Sequence, residues 1–324
     1  MTYPSSKTLT YDYDAIGNVT AIKEGLQTLV SYQHSGGGSV MKTSYDEPGL
    51  TLDYENGGFD RFGRVVDHAW LKDATDVVRI QHSYDHVGNR LYRNDWVHAN
   101  NSELYSYDGV NQIKSLDRGV LSQNNTVVAS PNFTESWNFD GTGNWLQYNR
   151  AGSVENRTHN AANEIQGIAN HDRNGNMAVM SGLKGKYDAW NRLVETRDSS
   201  DALVAKYEYN GLNHRVKKTV DDVVTMSFYN RQWQELDSAT VLPSGEGELM
   251  SYIWGTRYID DLVLRERGSE KLYSLADPNW NVVATANAAG AVQERMRYDA
   301  FGKVTWMNST FTTIRYTAPP QFFW

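Results

Sequence analysis

The sequence predicts an all-β protein, a long antiparallel ribbon of β-hairpins, and three observations predict it. First, an aromatic residue, an acid or amide, a short Gly/Asn-containing interval and an aliphatic residue recur in that order. The pattern appears as YDYDAIGNV (11–19), YDHVGNRL (84–91), YSYDGVNQI (105–113), YDAWNRLV (187–194), YEYNGLNHRV (207–216) and YDAFGKV (298–304). Second, the segments between copies alternate with a period of two. In LVAKYEYN, Leu203, Ala205, Tyr207 and Tyr209 share one face and Val204, Lys206 and Glu208 the other, as in a half-buried strand. Third, MKTSYDEPG, GGFDRFG and DRNGNM carry turn formers too densely for a long helix.

Taken in chain order, Asp14, Asp46, Asp60, Asp85, Asp108, Asp140, Asp172, Asp188, Asn210 and Asp299 are the expected heads of turns. Intervals such as 60 to 85, 85 to 108 and 188 to 210 suit two strands with their two turns, so one repeat is one hairpin. The most helix-like stretch, AANEIQGIA (161–169), reads as a degenerate copy with Asn160 in the Asp place. An Asp or Asn side chain accepts from backbone N–H groups two residues onward. Gly17, Gly63, Gly88 and Gly302 supply a positive φ at low cost. The repeat tyrosines Tyr11, Tyr13, Tyr84, Tyr105, Tyr107, Tyr187, Tyr207, Tyr209 and Tyr298 bring large rings with a hydroxyl to satisfy, and these rings are expected to stack across strands. Solenoid, propeller, and wide barrel or shell are the ways such a ribbon can protect its edges. The uneven spacing fits propeller blades poorly and a ribbon around a large interior well.

Composition narrows function. A net charge of −8 argues against a general affinity for nucleic acid or anionic lipid. With no cysteine there are no disulfides, thiolate chemistry or Cys-based zinc sites. The start MTYPSSKTLTYDYD has no signal-peptide pattern, so no targeting signal is expected in this chain, and no apolar run is long enough for a membrane-spanning helix. The whole of 1–324 reads as one repeat domain.

Other constellations read as structural. The histidines form no HExxH or similar ligand spacing, so neither a metal nor another cofactor is expected, and His159 and His171 occupy places where Tyr is usual. Asp221–Asp222 and Asp260–Asp261 lack a nucleophile or metal signature and read as turns or exposed edges. SYQHSGGGS (31–39) has no phosphate-binding lysine after its glycines and reads as a flexible loop. Trp145, Trp190 and Trp280 lie in or beside repeats and are expected to pack in the wall. Exposed Trp rings would instead suit carbohydrate, and the apolar PPQFFW end, with Trp324, needs burial or a partner.

These motifs resemble the YD or RHS repeats of bacterial RHS proteins, insecticidal toxin-complex proteins, wall-associated toxins and the animal teneurins. The likeness covers almost the whole chain. Residues 251–307, which contain SYIWGTRYIDDLVLRERGSEKLYSLADPNWNVVATANAAGAVQERMRYDAFGKV, are similar to the lead-in to the RHS-associated core. The resemblance implies a β-ribbon spiralling into a hollow shell, with repeats that carry no chemistry. In toxin relatives the shell encloses a C-terminal effector, and in teneurins it supports adhesion. It breaks at 308–324: STFTTIRYTAPPQFFW does not follow the family's terminal Asp-Pro-Ile-Gly pattern, nor does Asp277–Pro278, so no protease residue is carried over. The expectation is a non-enzymatic shell segment of a longer secreted or cell-surface protein, with a protein partner. An adhesion or glycan-binding module and a free-standing structural repeat protein are the alternatives.

Overall fold

The computed structural model describes residues 1–55 and 57–309, so the PPQFFW run and Trp324 lie outside the described residues. Among the described residues are twenty-nine β-strands and one short 3-10 turn, Ala99–Asn101. The chain is all-β and antiparallel, as the repeat and its period-two patterning require. The stretch that looked most helical, 161–169, forms a turn and the short strand Ile165–Gln166.

The strands fall into two compact units, one built from Met1–Phe133 and the chain from Met250, the other from Thr134–Leu249. In the first unit each strand from Leu9–Tyr13 to Ile113–Arg118 pairs antiparallel with the next in sequence. The strands from Met250 to Val304–Ser309 do the same. These two runs face each other across a core, and apolar burial drives the pairing. Ile22, Leu50, Leu52, Trp70 and Ile80 from the first run are fully buried, as are Ile253, Leu264, Tyr273 and Leu275 from the second. The Tyr45 ring lies 4.8 Å from Trp70 and 5.6 Å from Tyr273.

Several polar groups in this core bond across it. The Tyr45 hydroxyl donates to the Ser274 carbonyl at 3.0 Å, and the Tyr3 hydroxyl to the Tyr252 carbonyl at 2.8 Å. Trp70 Nε1 donates to the Ala276 carbonyl at 3.0 Å. A buried hydroxyl or indole N–H without such a partner would carry a desolvation cost, so each bond fixes the register between the two runs.

The second unit is a succession of half-buried hairpins. In Leu203–Tyr209 Ala205 is buried whereas Leu203 is exposed. The opposite face carries the cross-strand pairs Lys217–Glu208 (3.0 Å) and Lys186–Glu195 (3.7 Å), the chemistry of a solvated sheet surface.

The contrast between core and rim tryptophans gives a direct check. Trp70→Ala empties a fully buried site and is expected to destabilise the protein by about 3–5 kcal/mol. Trp190→Ala, at a residue 74 % exposed, should stay within about 0.5 kcal/mol of the parent in guanidinium unfolding.

Candidate functional site

The repeated motif builds one local structure many times over. Its head residue is Asp14, Asp60, Asp85, Asp108, Asp140, Asn160, Asp172, Asp188, Asp198, Asn210, Asn230, Asp277, Asn287 or Asp299. In each, the head Oδ1 accepts from the backbone N–H groups two and four residues on, at 2.7–3.1 Å. The head N–H donates to the carbonyl four residues on, and the N–H three residues on donates back to the head carbonyl. This is a five-residue hairpin turn closed twice, by backbone and by side chain.

The closure dictates the residue three places on, which takes φ between 60° and 96° in every copy. Glycine or Asn usually stands there, because a side chain in the left-handed region costs about 1–2 kcal/mol. Two copies place a tryptophan there instead, Trp233 and Trp280. Ring contacts offset the strain: Trp280 stacks on Tyr258 at 5.2 Å, and Trp233 meets His214 edge-on at 4.4 Å.

The residue four places on completes the turn with its side chain. Asn18, Asn144 and Asn176 donate to the second carboxylate oxygen of their heads and, with the backbone donors, hold Asp14, Asp140 and Asp172 below the usual carboxylate range. The same position reaches the following turn: Asn89 donates to Asn111, Asn144 to Asn163, Asn176 to Asn191 and Arg192 to Asn213. Neighbouring turns are thereby tied into a row.

Tyrosines tie the row a second time. The Tyr just before a turn head donates its hydroxyl to the carbonyl of the residue just after the previous turn on the same edge of the sheet. Tyr84 reaches Val65, Tyr107 Arg90, Tyr187 Met177, Tyr209 Leu193, Tyr229 Arg215 and Tyr298 Val282, all at 2.8–3.2 Å. The last residue of the preceding turn covers the ring: Arg64 lies 4.6 Å above Tyr84, Arg192 5.1 Å above Tyr209, and His214 4.9 Å from Tyr229. At Tyr84, Tyr209 and Tyr229 the ring therefore meets a cation or imidazole and the hydroxyl meets a carbonyl, where cross-strand stacking of tyrosine rings was expected. Tyr13 precedes the Asp14 head and is exposed. Tyr11 is half-buried opposite Ile22, Tyr105 donates to Glu103, and Tyr207 lies beneath Arg215.

Several sequence expectations change. Asp46 heads a turn by its backbone, but its side chain accepts from Ser31 instead of closing the turn. The glycine run after Ser35 is another copy of the five-residue frame, with Ser35 at the head and Gly38 at φ 82°. Trp190 sits exposed at a turn tip beneath Arg192, because the tip N–H and not its side chain is what the head residue binds. Asp221 and Asp222 do form a turn, a two-residue one with both φ positive between Val220 and Val223. Asp261 is the largest departure: it is fully buried and not at an edge. Arg257 Nε and Nη2 donate to it at 3.0 and 2.5 Å, and the guanidinium lies 5.8 Å from Trp70 and 5.0 Å from Trp280. Burial opposes the charge on Arg257, but Asp261 outweighs it and raises its pKa further. Gly255 permits this approach, since a Cβ there would lie 2.0 Å from Asp261 Oδ2.

Asp198, Asn230, Asp277 and Asn287 are turn heads that sequence reading missed. Their signal was the spacing of head and positive-φ residue, obscured where Asp201, Trp233 or Trp280 replaces Gly or Asn, or where no Tyr precedes the head. Beside the Arg257 pair, His68 is buried. Its Nε2–H donates to the Ala276 carbonyl at 2.7 Å and its Nδ1 accepts from the Tyr54 hydroxyl at 2.6 Å. Burial is the main cause that holds its pKa down to about 3.

Hairpins closed by acidic turns and laced to their neighbours by tyrosine define the class: a tandem β-hairpin wall protein. The Teneurin YD-shell family profile matches residues 58–310, and the chain belongs to that family. Among curated proteins, the tRNA3(Ser)-specific nuclease WapA of Bacillus spizizenii is 27 % identical over 223 residues, covering 66 % of this chain and 9 % of the nuclease. Among solved structures, the Photorhabdus luminescens Tc holotoxin pore superposes with a TM-score of 0.76 at 15 % identity, over 94 % of this chain and 17 % of that one. The TcdB2–TccC3–TEV crystal structure gives 0.76 at 16 % identity, over 98 % and 18 % of the two chains. The likeness to the solved structures shows the fold, and the chain spans less than a fifth of each of these relatives.

Two measurements test the reading of the turns. Tyr209→Phe removes one hydroxyl latch and leaves the ring under Arg192; urea unfolding should show a loss of about 0.5–1.5 kcal/mol. The second is acid sensitivity. An unfolded histidine protonates near pH 6.5, whereas His68 does so only near 3, so its contribution is complete above about pH 6.5 and is lost as pH falls through that window. The turn aspartates have folded values below the unfolded value of about 3.9, so theirs persists above about pH 4 and is lost below it. His68→Gln should reduce the slope of the stability profile between pH 6.5 and 4, with the remainder from His82, whose burial holds its pKa down to about 2, and leave the steep loss below pH 4 in place.

Proposed function

We propose that this chain is a non-catalytic wall segment of a longer secreted or cell-surface protein, and that its parent encloses or presents a separate polypeptide. The observation that carries this reading is the chemistry of the repeat. Each turn-head carboxylate or amide of the motif already accepts two backbone N–H groups, so the residues most suited to acid–base work are occupied in closing hairpins. Among the described residues no group of three His, Asp or Glu is placed to hold a metal ion, and no helix is long and apolar enough to cross a membrane.

Family membership and likeness to the Tc holotoxin support a wall, and the much greater length of the relatives supports a larger parent. One matched structure is named TcdB2–TccC3 without its hypervariable C-terminal region, and another carries TEV in that name. A wall that stays while a second polypeptide changes is the arrangement we infer for this protein as well, with residues 1–324 acting as one repeat domain.

Limited proteolysis of the full-length parent tests this. Sequence outside the repeats should resist protease while the wall is folded and become cleavable at the urea concentration that unfolds it. Digestion of that sequence at the same rate as the isolated polypeptide, with the wall intact, would remove the enclosure reading.

A further inference from the structure

A pocket of about 360 Å³ opens in the first unit between strands Arg90–Asp95 and Glu103–Tyr107 on one side and Val292–Tyr298, with the turns at Asp277 and Asp299, on the other. Its charged groups are unevenly satisfied. The carboxylates are engaged: Glu103 accepts from Arg118 at 2.9 and 2.6 Å and from the Tyr105 hydroxyl at 2.5 Å. Asp277 accepts from the Asn279 and Asn281 N–H groups, and Asp299 from those of Phe301 and Lys303, each closing its own turn.

The guanidiniums are not matched in the same way. Arg93 has Asp95 at 3.7 Å, but among the described residues Arg90 and Arg297 have no carboxylate within ion-pair distance. Arg90 Nη2 donates to the Asn279 side chain at 2.7 Å, and Arg297 Nη1 to the Asn101 side chain at 3.1 Å. The Nε of each is shielded from solvent and has no hydrogen-bond partner. Burial, then repulsion from Arg118, lowers the pKa of Arg297, and the Glu103 carboxylate offsets this only in part. Two guanidiniums without a carboxylate partner therefore line a cavity whose acidic groups are engaged in an ion pair or in closing their own turns.

We propose that this pocket binds one anionic group, a carboxylate or phosphate, between Arg90 and Arg297. A guanidinium presents paired donors in a plane that matches either oxyanion. The cavity has the size of a small-ligand site and is too small for a folded partner. The anion has two possible sources, a free ion such as phosphate or an acidic side chain on another polypeptide.

Isothermal titration calorimetry of the full chain distinguishes them, at constant ionic strength maintained with chloride. The probes are inorganic phosphate and an acetylated, amidated Gly-Glu-Gly peptide, with Gly-Gln-Gly as its neutral control. Saturable binding of phosphate assigns the site to a free ion, and saturable binding of the Glu peptide but not the Gln peptide assigns it to a polypeptide carboxylate. Arg90→Met with Arg297→Met should abolish either signal, whereas Arg173→Gln, at an exposed arginine outside the pocket, should leave it unchanged. If the double variant does not fold, Arg90→Lys keeps the charge, removes the planar fork and should weaken binding about tenfold. Absence of saturable binding for both probes, or binding unchanged by Arg90→Lys and by the double variant, overturns the proposal.

Discussion

The structure depends on the hydrogen bonds from two backbone N–H groups to a single Asp or Asn oxygen. Reversing a strand in five residues leaves amides pointing into the turn with no ladder partner, and the head side chain at Asp60, Asp85 or Asp188 supplies the acceptor they lack. That capture forces a positive φ three residues on, which turns a statistical preference for Gly or Asn into a geometric requirement. The extra residue shifts the strand register beside many of these turns, as between Ser83 and Tyr84, Glu208 and Tyr209, or Leu275 and Ala276. Such bulges increase local twist, so the motif both closes each hairpin and bends the ribbon it closes.

A turn that satisfies itself does not specify what lies next to it, and the tyrosine latch supplies that information. The hydroxyl of Tyr209 reaches the Leu193 carbonyl while Arg192 covers the ring, so one side chain reads both the position and the chemistry of the preceding turn. Asn-to-Asn and Arg-to-Asn bonds along the rim repeat the same information at the tips. Contacts of this kind are between nearest neighbours, and each is small. Stability in a repeat array accumulates from many such terms, which is why a copy with His or Phe before the head, as at His171 and Phe139, is accommodated.

The first unit adds what a hairpin row alone does not possess, a core closed on both sides. There three polar side chains are tightly assigned: Arg257 to Asp261, His68 to Tyr54 and Ala276, Trp70 to Ala276. A buried ion pair contributes little net stability compared with a well-packed apolar replacement, but loss of either partner leaves a charge without solvent. Its clearest effect here is on geometry. The bare Gly255, the flanking Trp70 and Trp280, and the pair itself accept only one arrangement of the loop before Leu262.

The sequence by itself determined the all-β class, the hairpin unit and most of the turn heads, because the bonds that make them join residues two to four apart. Asp14, Asp85 and Asp188 are legible for that reason, and Asn160 despite its helix-like surroundings. Asp277 and Asn230 escaped because a tryptophan stands where glycine is expected, and what permits it is a ring contact with Tyr258 or His214. Only the tertiary structure decided the tyrosine latches, whose partners lie ten to nineteen residues away, and the burial of Asp261. Asp260 and Asp261 look alike in sequence. Packing of Trp70 and Tyr45 against strands more than two hundred residues later is what removes one of them from water and leaves the other half-exposed, and no local pattern encodes that approach.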